Sequence, residues 1–128
     1  MSMLEALVAL AIAGLIALIV YPLPERAIRA VDVRAGAQAL SIDLRRARSL
    51  ALRSGAPASL LPTRDGHGYV LPDGVVRHLP EGTVISGAGT RFFADGTASG
   101  GLFVVAGATR SLGVAVESAT GAVTMVVP

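Results

Sequence analysis

Few side chains in this 128-residue sequence could do chemistry. His67 and His78 are the only histidines, and there is no cysteine or lysine. A metal site would therefore need scattered carboxylates gathered from separate loops, and a thiol nucleophile or disulfide framework is excluded. Gly87-Ala88-Gly89 starts like a dinucleotide-binding glycine pattern, but Phe92 stands at the third glycine position and no βαβ unit surrounds it. A phosphate-cradling P-loop fails for want of lysine, and nothing suggests a Ser-His-Asp arrangement. The expectation is no catalytic residue, no cofactor, no metal, and a chain that is not an enzyme.

One carboxylate stands apart. Glu5 is the single charge in Met1 to Val20, MSMLEALVALAIAGLIALIV. As a helix this stretch measures about 30 Å, the hydrocarbon thickness of a bilayer, and it reads as a membrane span. A carboxylate inside a span costs about 2.5–3.5 kcal/mol on insertion scales, so such groups are usually paired or functional. Glu5 also sits in the first helical turn, where the helix dipole favours an anion. Both readings stay open on these residues alone.

The elements that position this carboxylate follow in order. No basic n-region precedes the span and the apolar run reaches Tyr21, which favours a retained anchor over a cleaved signal peptide. Arg26, Arg29 and Arg34 lie just after it, which by the positive-inside rule would hold that side in the cytoplasm; a short basic leader ahead of Met1 would reverse the bias. Pro22 and Pro24 predict a kink or short melted segment over Tyr21 to Pro24. Residues 1–24 are thus a transmembrane or assembly helix with a proline kink.

About 108 residues remain, enough for one small domain. The mean hydropathy of +0.64 is carried largely by the N-terminal stretch and by abundant Ala, Val and Leu. From Glu25 to Ser54 apolar residues recur at helical spacing, with Val33, Ala37, Leu40, Leu44, Ala47 and Ala51 on one face. Glu25 with Arg29 and Asp43 with Arg46 fall at spacings that suit ion pairs on an exposed surface. Gly55 is placed for a left-handed C′ residue, and Pro57 ends the helix.

Beyond Ala58 the pattern changes to short apolar runs. Strands are predicted at Ala58–Leu61, Gly68–Leu71, Val75–Leu79, Thr83–Ser86, Arg91–Phe93, Leu102–Val105, Leu112–Glu117 and Val123–Val127, punctuated by Gly, Pro and Asp turns. The Gly-rich stretch Asp95–Gly101 reads as a loop whose glycines permit positive φ and close backbone approach. The fold class is α+β: a long N-terminal helix whose amphipathic half, 25–54, packs on an antiparallel β region, 58–127.

Net charge is +2, and it is unevenly placed. Residues 1–54 carry seven arginines against four acids, whereas residues 55–128 carry four against five. With a nearly neutral C-terminal half and five aromatics in all, nucleic acid is not an expected partner. Arg45, Arg46, Arg48 and Arg53 form a basic cluster on the second helix. The cluster is either a solvated face or an interaction surface for acidic lipid headgroups or acidic neighbours in an assembly.

These residues carry a resemblance. Met1-Ser2-Met3-Leu4-Glu5-Ala6-Leu7-Val8, with Pro22 downstream, resembles the start of mature type IV pilins and pseudopilins. Arg48–Pro57, Phe92–Gly101 and Val116–Gly121 are similar to the GspH/FimT family, the minor pseudopilin H of type II secretion, so the resemblance covers almost the whole chain. It implies a pilin-like fold, a periplasmic domain over 25–128, and a single-pass inner-membrane subunit that moves into a pseudopilus. Implied partners are other minor and major pseudopilins, the inner membrane, prepilin peptidase and secreted protein cargo. Glu5 and Pro22 are the implied assembly residues, with Glu5 pairing the N-terminal amine of a neighbouring subunit. Met1 stands where the family usually has a Phe that is freed by leader cleavage and N-methylated. A minor type IV pilin of the FimT kind, serving pilus assembly or DNA uptake, is the alternative.

Overall fold

A computed structural model describes the backbone of residues 2–20 and 22–128, and the side chains of residues 2–16 and 31–128. Helix α1 runs over Met3–Val20 and helix α2 over Pro22–Ser54. Helix is thus regained at Pro22, three residues earlier than the proline pattern predicts. A proline in the first turn loses no hydrogen bond, because the N–H it lacks has no intrahelical partner there. Of the predicted break over Tyr21 to Pro24, residues 22–24 are helical and Tyr21 lies outside the described residues, as do the side chains of the expected Glu25–Arg29 pair.

Residues 2–16 are exposed throughout, with no cover from the rest of the chain. Among the described residues no helix is long and apolar enough to cross a membrane. The predicted span, however, ends on residues 17–20, whose side chains lie outside that description.

Helix α2 buries the face that its spacing specifies. Val33, Ala37, Leu40, Leu44, Ala47 and Ala51 are all buried. Its stop is as expected: Gly55, at φ +68°, donates its N–H to the Ala51 carbonyl at 3.0 Å, a C-terminal cap that a Cβ would strain.

Eight strands follow: β1 Ala58–Pro62, β2 Gly68–Val70, β3 Val76–His78, β4 Val84–Ser86, β5 Thr90–Phe92, β6 Gly101–Ala106, β7 Ser111–Val116 and β8 Val123–Val126. Each coincides with a predicted apolar run. They form two antiparallel four-stranded sheets, in the orders β3-β2-β1-β5 and β4-β6-β7-β8. Strands β4 and β5 are adjacent in sequence yet lie in different sheets, so the chain crosses between sheets and returns.

Alternation within the strands sends one face inward. In the first sheet Ala58 opposes Phe92 and Leu60 opposes Thr90, all four buried. In the second, Phe103 opposes Val114 and Gly101 opposes Val116, with Phe103, Val105, Val114 and Val116 buried. Helix α2 packs against strands of both sheets, and one contiguous core joins all three elements. The architecture is a helix packed on antiparallel sheets, the predicted α+β class.

Candidate functional site

Glu5 has a partner within its own turn. The backbone N–H of Ser2 donates to the Glu5 carboxylate at 3.3 Å, and the Glu5 N–H donates to the Ser2 hydroxyl at 3.3 Å. This reciprocal arrangement is a capping box, Ser-x-x-Glu, with the Ser2 carbonyl accepting the first helical bond from Ala6. Ser2 is therefore a residue that the sequence reading missed, although its spacing from Glu5 was the available signal. Met1 and the side chain of Pro22 lie outside the described residues.

The four arginines of the α2 cluster separate into two pairs. Arg45 donates to the Val123 carbonyl at 3.2 Å, fastening α2 to β8. Arg48 donates from Nε to the carbonyls of Gly96 and Thr120, each at 3.2 Å. Both bind backbone of the same domain; Arg48 is half-buried, whereas Arg45 makes its contact from an exposed position. Arg46 and Arg53 are exposed; Arg53 donates from Nε to the Ser49 carbonyl of its own helix at 3.4 Å, and no carboxylate pairs with either among the described residues.

Arg48 gathers three stretches of sequence. The Asp95–Gly101 loop supplies Gly96, and the β7–β8 turn supplies Thr120. Gly121, at φ +69°, lies against them: a Cβ there would meet the Gly96 carbonyl oxygen, with Arg48 Nε at 2.9 Å. Within the loop the Asp95 carboxylate accepts from the Thr97 hydroxyl at 2.6 Å and the Thr97 N–H at 3.0 Å, which hold it below the usual carboxylate range. The loop is a built connection, as its glycines suggest.

Asp43 does not pair with Arg46 on the surface, contrary to the spacing argument. It is buried, its side chain 6% exposed. Its carboxylate accepts the Tyr69 hydroxyl at 2.6 Å and lies 3.2 Å from Arg77 Nε. A buried carboxylate must be bonded to be tolerated, and strands β2 and β3 supply both partners. Burial first, and then the Asp43 carboxylate, push the Tyr69 hydroxyl far above the ordinary tyrosine range. The inward turn of Asp43 leaves Arg46 as one wall of an open groove of about 410 Å³ between α2 and the β2–β3 hairpin.

Metal and acid–base chemistry find no such gathering. His67 and His78 are exposed, at the ends of the β2–β3 hairpin. Among the described residues no three His, Cys, Asp or Glu side chains come together as a metal site would require.

The arrangement of helix and sheets is shared with known structures. The minor pseudopilin EpsH from the Type 2 Secretion System of Vibrio cholerae superposes with a TM-score of 0.61 at 12% identity, covering 76% of this chain and 98% of that one. The fold is type IV pilin-like. The type IV minor pilin FimU of Pseudomonas aeruginosa shares the same pilin-like fold, with TM-scores of 0.58 and 0.55 in two crystal forms at 16% and 18% identity. Those superpositions cover 76% and 73% of this chain, and 90% and 91% of FimU. No family model and no curated protein matches the chain. In pilin-like terms, α2 and the two sheets form the globular part, and α1 with its capped Glu5 projects from it.

Proposed function

We propose that this chain is a minor pseudopilin, a structural subunit at or near the tip of a type II secretion pseudopilus, and that it contributes to protein export across the outer membrane without turnover chemistry. The observation that supports this reading best is α2 seated across both four-stranded sheets, the arrangement that EpsH shares over nearly its whole length. In this reading residues 1–24 hold the subunit in the inner membrane before assembly and pack among neighbouring helices afterwards. Residues 25–128 face the periplasm, where they meet other minor and major pseudopilins and secreted cargo. Prepilin peptidase creates the mature end at Met1, which is then N-methylated. Glu5 exchanges its cap on Ser2 for the N-terminal amine of a neighbouring subunit, which sets the register of assembly.

The likeness to FimU favours a second reading, a minor type IV pilin in pilus assembly or DNA uptake. An in-frame deletion in the parent bacterium separates the two. The first reading expects exoproteins to accumulate in the periplasm while twitching and transformation continue. Loss of piliation or transformation with intact secretion would reverse the assignment.

A further inference from the structure

The groove between α2 and the β2–β3 hairpin combines free positive charge with an apolar floor. Arg46 and Arg53 stand on its α2 wall, exposed and without a carboxylate partner among the described residues. They are two helical turns apart, about 10 Å, which an extended chain crosses in about three residues. Arg77, half-exposed, closes the opposite side, with its Nε 3.2 Å from the buried Asp43 carboxylate. Leu50, Leu71 and Pro72 line the same groove. A second open depression, of about 340 Å³, shares Leu71 and Pro72 and carries the apolar surface onward to Leu61 and Val70.

We propose that this groove binds an extended segment of another protein in which carboxylates alternate with apolar side chains. Guanidinium groups match carboxylates through paired N–H donors, and the apolar floor takes the intervening side chains. The same walls argue against a polyanion. Asp43 and Asp73 line the groove beside the arginines, with Asp73 exposed and, among the described residues, accepting only its own turn's Val75 N–H at 3.1 Å. Asp43 is neutralised by Arg77, but the exposed Asp73 carboxylate would repel a phosphate-dense surface, whereas single carboxylates spaced along a peptide can avoid it. The inference goes beyond the assembly role of α1 and holds for a secretion or a pilus subunit alike.

The test uses the full chain in dodecyl maltoside micelles and a rhodamine-labelled, terminally blocked Leu-Glu-Leu-Glu-Leu peptide, followed by fluorescence anisotropy. Saturable binding is expected, weakened roughly tenfold or more by Arg46→Gln with Arg53→Gln and by replacing the peptide's Glu with Gln, as loss of charge-assisted bonds requires. Arg64→Gln, at an exposed site on the β1–β2 turn, serves as the control and leaves binding unchanged. No saturable binding at millimolar peptide, equal binding of the Gln peptide, or full binding by the double variant would overturn the proposal. So would equal competition by phosphatidylglycerol added as mixed micelles or by duplex DNA, each at matched charge. Rejection on any of these grounds leaves incorporation into a pilin-like complex untouched, so the two proposals fail separately.

Discussion

Replacing Tyr69 by Phe removes one oxygen from the buried Asp43 cluster and leaves the ring in place. The lost bond is short, 2.6 Å from hydroxyl to carboxylate, and the ring is 1% exposed. A hydrogen bond to a charged group contributes about 1.5–3 kcal/mol. Arg77 remains 3.2 Å away to compensate part of the buried charge, so the expected loss is about 2 kcal/mol. For a domain of this size that lowers the melting temperature by about 8 °C. Alkaline pH supplies an independent reading of the same bond. An unfolded tyrosine titrates near pH 10, whereas native Tyr69 stays protonated well beyond that. Its stabilising contribution is complete below about pH 10 and declines as pH rises toward the native value, because the unfolded chain then binds fewer protons. The slope reaches at most about 1.4 kcal/mol per pH unit. Thermal and urea unfolding of the full chain in micelles, from pH 7 to 11, measures both effects. Tyr69→Phe should be less stable at pH 7 and should lose less stability than wild type above pH 10. A pH 7 difference under about 0.5 kcal/mol, with equal alkaline slopes, would refute the assignment of Tyr69 and Asp43 as a buried bonded pair.

Three further outcomes follow from the same geometry. Arg48→Ala removes both carbonyl contacts and should cost about 1.5–3 kcal/mol in urea unfolding, with faster amide exchange at Ala98 and Ala122; Arg48→Lys should not restore it, since a single ammonium on a shorter stem does not reproduce the guanidinium contacts. Gly55→Ala and Gly121→Ala share a positive φ, but only the second meets neighbouring atoms, so the first should cost about 1 kcal/mol and the second at least twice as much by the same unfolding assay. Ser2→Ala should weaken the start of α1 by about 1 kcal/mol, read as faster amide exchange at Met3 to Glu5, while Ser2→Thr should preserve it.

How much of this was legible in the sequence depended on the range of the interaction. The α2 core face and all eight strands could be read, because helical and two-residue periodicities are local. Gly55 was legible for the same reason. The division into two sheets was not, since an apolar run does not say which partner it pairs with, and β4 and β5 part company across a short loop. Asp43 was misread as a surface residue because Arg46 stood at ion-pair spacing, while its actual partners, Tyr69 and Arg77, come from strands distant in sequence. Arg45 and Arg48 were read with their charged neighbours as one cluster. What their chemistry serves instead is the capture of carbonyls on β8 and the neighbouring loops, and no pattern in the cluster marks which arginine reaches them. The local cap on Glu5 was within reach of the sequence, since Ser2-x-x-Glu5 is a capping-box spacing.

The central claim is that the chain assembles with other pilin-like subunits through α1, with Glu5 as the charged contact. Native mass spectrometry of the tagged full chain, extracted from membranes of the parent bacterium, tests it most directly when wild type is compared with Glu5→Gln and Glu5→Ala at equal membrane levels. Wild type should be recovered in a complex with at least one other pilin-like subunit, and both variants largely as single chains. Recovery of wild type alone, or equal incorporation of both variants, would contradict it.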